Sequence, residues 1–337
     1  MPPARTLRGY DRRRLRGDVA AGLAVWAAAV PSGLAYAGLA GLPPIVGLYA
    51  SAVAGLAYAL AGTIRQAQVG PTSTSSILTA AAIAPLAGGD IPRATALAAL
   101  LALMVAAILL GAYALKLGFI ADYLSRAVLI GFTAAISLVI IAAQLPNLLG
   151  LTGVKTTTFQ TTVSGLADRA GQIDLDSLAL GLGALALLLV LRRLAPRVPR
   201  ELVVVAGATT LVAALGLAST VHVVGEVPSG LPTPGLPDIS WQDVETLTGP
   251  AVGIALIAFV ETMAIGRVFS RERRYPVEPR RELLALGLGN VAAGLFQGYP
   301  ANASFAQTAL SDGAGGRTSR LQKTHIRALA SCNGRWQ

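Results

Sequence analysis

Two short polar-led segments inside apolar sequence carry the chemistry of this chain: Gln68–Leu78 (QVGPTSTSSIL) and Gly298–Leu310 (GYPANASFAQTAL). Each reads as a short extended stretch, a Pro, small hydroxyl or amide residues, and then a helical pattern. A helix that begins at mid-depth in a bilayer leaves its first N–H groups unpaired. Such a start is tolerated only where it is buried in protein or lines a cavity, and the positive end of its dipole attracts anions. In the first segment Gly70, Pro71, Thr72, Ser73 and Thr74 open the helix. Gly70 permits close backbone approach, Pro71 suits a first turn, and Thr72 and Ser73 offer hydroxyls beside the free N–H groups. In the second segment Ala303, Ser304, Phe305, Ala306 and Gln307 open the helix, with Asn302 as its expected cap. Ser75 and Ser76 read as structural hydroxyls that cap backbone or bridge helices. A pair of Gly/Pro-interrupted segments in the two halves of a chain points to a transporter's binding site, so the expected substrate is an anion.

Glu261 is the acidic residue inside the apolar run Pro250–Gly266. An ionisable residue at membrane depth costs about 2.5–3.5 kcal/mol on insertion scales and is functional by default. The favoured role is proton or sodium coupling; the alternative is a structural hydrogen-bond partner of the second half-helix. A carboxylate beside an anion must be protonated or cation-paired. Pro31 and Ser32 interrupt the first apolar span, and Tyr36 follows one turn later, either beside the substrate or as a packing aromatic. Asn290 is a weaker candidate, and Arg65 and Arg126 read as structural flanking charges. No phosphate-binding GxxxxGK[ST], HExxH or Ser/His/Asp set occurs at membrane depth, so an enzyme is not expected. His222 and His325 have no metal-ligand partner at useful spacing, and no cofactor is expected.

The elements that hold these residues are membrane-grade. The 337 residues are 54% hydrophobic and 13% charged, against about 25% charged in a soluble domain. Val19–Ile64, Ala94–Leu115 and Ala127–Pro146 contain no charge, and a span needs roughly 20 apolar residues. The net charge of +10 comes from basic runs beside the spans, the positive-inside pattern, without the interleaved aromatics of a nucleic-acid surface. The single Cys332 excludes an intrachain disulfide.

The expected spans are Asp18–Ala37 (broken near Pro31), Ile45–Thr63, a half-helix Pro71–Leu86, Ala94–Leu115, Ala127–Leu149, Ser177–Leu191, Leu202–Ala218, Pro250–Gly266, Leu283–Gln297 and a half-helix from Ala303. Leu151–Asp176 and Thr220–Thr248 read as polar external loops. The segment from Arg192 to Arg200 and Arg267–Glu282 read as basic cytoplasmic loops. Residues 1–17, with six Arg, form a cytoplasmic tail, which places a multi-pass protein in the plasma membrane with its N-terminus inside. Spans 3 and 10 lie seven apart in opposite orientation, the mark of an inverted repeat of seven spans each. Residues 18–319 are then a transmembrane domain with an incomplete second repeat. Residues 320–337 are basic and lack membrane character; a truncation or reading-frame change is the expected origin of this aberrant tail.

The residues in order resemble the SulP family of sulfate permeases and related anion transporters. Asp18–Ser51 (DVAAGLAVWAAAVPSGLAYAGLAGLPPIVGLYAS) is similar to its N-terminal signature, and Ala61–Ser76, Tyr123–Gly150, Phe259–Ser270 and Gly289–Ser319 continue the match. The resemblance implies the seven-plus-seven inverted-repeat fold shared with nucleobase transporters, all-α, with about ten spans present here. It implies a core domain (spans 1–4 and 8–11) that moves against a gate domain (spans 5–7 and 12–14), and an anion site between half-helices 3 and 10 at the membrane midplane. It also implies a homodimer and a C-terminal STAS domain, which with spans 11–14 lies beyond this sequence. By resemblance the substrate-binding residues are Ser32, Tyr36, Pro71, Thr72, Ser73, Ser304, Phe305, Ala306 and Gln307, with Glu261 in the family's acidic coupling position. Two positions depart from the pattern. Ser32 stands where the family usually has Gln, and Ala306-Gln307 where many members have Ser-Arg. The expected activity is alternating-access transport of an inorganic anion, sulfate first and bicarbonate as alternative, coupled to protons or sodium or run as exchange. The other readings are a nucleobase or carboxylate carrier on the same fold and a transport-inactive truncated remnant.

Overall fold

The computed structural model describes residues 12–119, 159–195, 200–217 and 240–313, with parts of 131–154 and 221–238. Helix α1 spans Arg12–Leu39, α2 Pro44–Ala61, strand β1 Val69–Gly70, α3 Ser73–Ala87 and α4 Ile91–Ala114. They are followed by α5 Phe159–Asp168, α6 Leu175–Leu194, α7 Arg200–Leu215, α8 Trp241–Arg273, α9 Pro279–Leu295, β2 Asn302–Ala303 and α10 Phe305–Gly313. Four of these helices, α2, α4, α6 and α8, are long and apolar enough to cross a bilayer, and α3 and α7 are shorter apolar helices.

The chain divides into two compact units, Met1–Ser125 with Pro228–Gln337, and Arg126–Val227. In the first unit α9 packs on α4 and α2, α1 on α2 and α10, and α8 on α4 and α3. Its core is built from small and branched residues, among them Ala50, Ala54, Leu97, Leu101, Val105, Leu286 and Ala293. Small residues let helices approach closely where lipid supplies no hydrophobic drive between them. Gly47 is the tightest case: a Cβ there would lie 2.0 Å from the carbonyl oxygen of Gly33, so α1 and α2 touch backbone to backbone. In the second unit α6 pairs with α7. Leu182, Leu185, Leu189 and Leu194 of α6 point outward, the apolar face that a bilayer covers.

Local sequence sets the helix starts. Pro44 and Pro279 lie in the first turns of α2 and α9, where a missing N–H costs nothing. Asp174 caps α6 through the amides of Asp176 and Ser177. Ser240 and Asp243 form a reciprocal capping box at the start of α8.

The structure corrects four expectations. α1 runs through Pro31 without a break; one lost hydrogen bond does not end a helix that packs on α2, α3 and α10. The Leu151–Asp176 loop contains α5 and a short 3-10 turn at Ala170–Gln172. α8 starts nine residues before Pro250, at Trp241, because the Ser240 capping box nucleates it within sequence that looked like loop. α9 starts at Pro279, so Glu282 belongs to a helix and not to a basic loop. Arg126, His222, His325, Cys332 and residues 320–337 lie outside the described residues.

Candidate functional site

The two polar-led segments meet. β1 pairs antiparallel with β2, Val69 opposite Ala303 and Gly70 opposite Asn302. Each strand runs on within two residues into a half-helix. Because the strands are antiparallel, α3 and α10 leave the bridge in opposite directions and direct their N-termini at one another across it.

Counting the amides at these two ends defines the chemistry. At α3, Thr72 Oγ1 accepts from the Ser75 amide (3.2 Å), Ser75 Oγ accepts from the Thr72 amide (3.0 Å), and the Ser76 amide bonds to the Thr72 carbonyl (2.9 Å). At α10, the Ser304 amide donates to the Gln68 carbonyl (2.9 Å), Ser304 Oγ accepts from the Gln307 amide (3.4 Å), and the Thr308 amide bonds to the Ser304 carbonyl (3.0 Å). The amides of Ser73, Thr74, Phe305 and Ala306 are left without a partner among the described residues. Two helix ends, each worth about half a positive charge, with two free donors apiece, have the electrostatics suited to a negative group.

The side chains predicted from sequence distribute unevenly around this point. Ser32 of α1 and Gln307 of α10 meet, with Gln307 Nε2 donating to Ser32 Oγ at 3.0 Å. Tyr36 lies one turn beyond Ser32 and is half-buried. Pro71 is buried and precedes the cap, so it is not in the first turn of α3 as expected. The Ser73 hydroxyl has no partner among the described residues, whereas Thr72 is committed to its neighbours. Ser304 is the α10 cap. Phe305 is 55% exposed, its ring 5.8 Å from that of Phe269, and Ala306 is exposed. Ser75 and Ser76 are structural, Ser76 through the Thr72 carbonyl (2.7 Å) and the Tyr299 hydroxyl (3.0 Å).

Glu261 stands behind the bridge with both oxygens engaged. Oε1 accepts from the Thr74 hydroxyl at 3.0 Å and Oε2 from Asn302 Nδ2 at 2.5 Å. Asn302 Oδ1 in turn accepts from Thr72 Oγ1 at 2.8 Å. Asn302 is therefore not the cap of α10, as expected from sequence. It lies in β2, two residues before that cap, and bridges Glu261 to the cap of the other half-helix. Asn290 is buried and clamps the backbone before β2, pairing with both the N–H and the C=O of Ala301 at 2.9 Å.

Sequence reasoning missed three supports of this site. The Gln68 amide donates to Thr308 Oγ1 (3.2 Å), which ties the approach to α3 onto α10. Thr262, next to Glu261, accepts from the Ala303 amide (3.2 Å). Glu282 is fully buried and accepts from Tyr58 Oη (2.6 Å), from the Thr63 amide (2.6 Å) and from the Thr63 hydroxyl. It holds the turn that leads into β1. Pro279 followed three residues later by an acid is a helix-start signal that the surrounding arginines obscured. In the same turn the Tyr275 hydroxyl donates to Gln66 Oε1 (2.8 Å), and burial pushes that phenol up to about 12.

Comparison with known proteins identifies the family and the fold. The sequence model of the sulfate permease family matches residues 15–321. A Mycobacterium tuberculosis (strain H37Rv) protein described as "Probable sulfate transporter" is 45% identical over 312 residues, covering 92% of this chain and 56% of its own; the chain thus spans little more than half the length of that relative. The murine solute carrier 26 family member A9 anion transporter, solved in the inward-facing state, superposes with TM-score 0.89 at 26% identity over 98% of this chain and 58% of its own. The transmembrane domain of a cyanobacterial bicarbonate transporter superposes with TM-score 0.85 at 23% identity over 96% of this chain and 83% of its own, which shows the shared fold. The fold is the inverted-repeat architecture of these multi-pass membrane proteins. With the ordered motifs, the paired half-helices and a family match over nearly its whole length, this chain belongs to the sulfate permease family.

Proposed function

We propose that this chain binds an inorganic anion between the N-termini of α3 and α10 and carries it across the membrane by alternating access. The observation that carries the reading is the pair of opposed helix ends with four unpartnered amides. Ser73, Ser304 and Tyr36 surround that point as neutral donors, Ser32 and Gln307 line it bonded to each other, and Phe305 and Ala306 contribute backbone. Sulfate is the favoured substrate, on the family and its curated relative. Glu261, linked by hydrogen bonds to α3 and β2, is the coupling residue for a proton or sodium ion. The protein works as a homodimer in the plasma membrane with its N-terminus and the basic segments after α6 and α8 in the cytoplasm. It is a transporter and not an enzyme.

One observation favours bicarbonate as the second reading. Gln307, at the start of α10, is neutral and spends its amide on Ser32. Helix dipoles and neutral donors suit a singly charged anion better than a doubly charged one, because no fixed cation offsets the second charge.

The test is uptake of labelled sulfate and labelled bicarbonate by proteoliposomes under an imposed proton or sodium gradient. Wild type accumulates one of the two, and Glu261→Gln loses the gradient dependence. Uptake of neither anion, or gradient-driven accumulation that survives Glu261→Gln, overturns the reading.

A further inference from the structure

We propose that Asn302 relays protonation of Glu261 to half-helix α3: by turning its side-chain amide it releases the Thr72 hydroxyl to donate to the bound anion. The proposal rests on the anion-site reading above.

An ionised carboxylate only accepts hydrogen bonds. Glu261 takes one from Thr74 (3.0 Å) and one from Asn302 Nδ2 (2.5 Å). That fixes the amide: Oδ1 must face Thr72, and the Thr72 hydroxyl donates to it at 2.8 Å. The same oxygen accepts from the Ser75 amide at 3.2 Å. Its single proton is committed away from the site. Asn302 is 1% exposed and Thr72 8%, so water does not substitute for either partner.

One proton taken from the aqueous phase onto Glu261 Oε2 makes that oxygen a donor, and the group facing it must then accept. Turning the Asn302 amide brings Oδ1 to the new O–H and Nδ2 to Thr72. The Thr72 oxygen has two acceptor positions; the Ser75 amide and Asn302 Nδ2 fill both. Its own proton leaves Asn302 and is shared between Ser75 Oγ, 3.2 Å away, and an anion at the helix end that carries the unpaired Ser73 and Thr74 amides. Proton and anion then bind together, because the proton supplies the anion with one more donor.

The other ionisable groups around Glu261 are occupied elsewhere. α3 and β2 contain none. On α4 and α8, Arg93 pairs with Asp243 at 2.6 Å, and Tyr113 of α4 lies under Arg280 of α9. Glu282 of α9 is held by Tyr58 and Thr63. Arg273 of α8 pairs with Asp312 of α10 at 2.7 Å, and Tyr299, before β2, bonds to Ser76. Among the described residues, the side chains hydrogen-bonded to Glu261 are Thr74 and Asn302.

The experiment is equilibrium binding of labelled sulfate, and of nitrate as a singly charged anion that does not itself titrate, to the full chain in nanodiscs between about pH 8 and about pH 5. The proteins are wild type, Asn302→Leu, Thr72→Val, Thr72→Ser and the double variant Asn302→Leu/Thr72→Val. Wild type is expected to gain about tenfold in affinity on acidification, the worth of one added hydrogen bond to a charged group together with relief of the Glu261 charge. Asn302→Leu and Thr72→Val should each cut that gain to the same smaller remainder, the through-space part. The double variant should cut it no further, and Thr72→Ser should keep it whole. A pH profile is what a merely structural role leaves in place. If Asn302→Leu does not fold, Thr72→Val against Thr72→Ser decides alone. Wild-type acid gain in Thr72→Val, or additive losses in the double variant, overturns the relay while the anion site stands. Binding of neither anion by wild type overturns the site reading, and the relay with it.

Discussion

Replacing Glu282 tests whether the route into α3 is held from outside the site. The carboxylate is fully buried and accepts from Tyr58 Oη, the Thr63 amide and the Thr63 hydroxyl. Glu282→Ala removes both acceptor oxygens and with them all three hydrogen bonds at once. The Tyr58 phenol, 1% exposed, is left without an acceptor, and an orphaned buried donor costs about 1–3 kcal/mol, with less for the half-buried Thr63 amide. The Thr63 hydroxyl can rotate and already accepts from the Glu278 amide (3.2 Å), so it adds little. The expected loss is about 3–5 kcal/mol once the cavity is included. Glu282→Gln keeps one oxygen for Thr63 and turns an NH2 toward Tyr58, which can accept but then loses its own acceptor; about 1–2 kcal/mol is expected. The assay is thermal unfolding of detergent-purified protein, followed by tryptophan emission. Melting should fall in the order wild type, Gln, Ala. Anion binding should weaken in the Ala variant, because the Thr63 turn leads through Gln66 and Gln68 into β1. An Ala variant that melts with wild type, or one that melts with the Gln variant, would refute the reasoning.

Gly47→Ala should destabilise the α1–α2 contact by at least about 1–3 kcal/mol, since neither backbone can yield, whereas Gly38→Ala, which meets nothing within 4 Å, should be near neutral; paired thermal melts check both. Asn290→Leu should cost about 2–5 kcal/mol by orphaning the N–H and C=O of buried Ala301, seen as a lower melting temperature and faster amide exchange through residues 298–303. The Ser177 hydroxyl, beside Asp174 at the start of α6, holds that carboxyl below its usual value of 3.8. A depressed pKa means the cap contributes fully above the unfolded value and is lost as pH falls through the folded one. Amide exchange at the start of α6 should therefore speed up only below about pH 4, and Ser177→Ala should move that onset upward; an unmoved onset counts against the cap.

How much was legible beforehand differs by residue. The half-helix starts were, because a Pro and small hydroxyls inside an apolar run are a chain-local pattern, and a helix end exposes unpaired amides wherever it stands. The ends of α8 and α9 were not. The Ser240–Asp243 box and Pro279 are start signals, but the acidic and basic residues around them read as loop. Asn302 looked like a cap because it precedes a helix; in the fold it bridges Thr72 and Glu261.

The membrane-grade character of the chain and the two polar half-helix starts follow from composition and local pattern, since each rests on short-range properties of the chain. The pairing of Gln68–Gly70 with Asn302–Ser304, the meeting of Ser32 with Gln307 and the burial of Glu282 do not. Each joins residues more than two hundred positions apart, and no periodicity or propensity encodes which distant donor will face which acceptor. Folding settles those partners, because a buried polar group must find one wherever the packing of α2, α8, α9 and α10 places it.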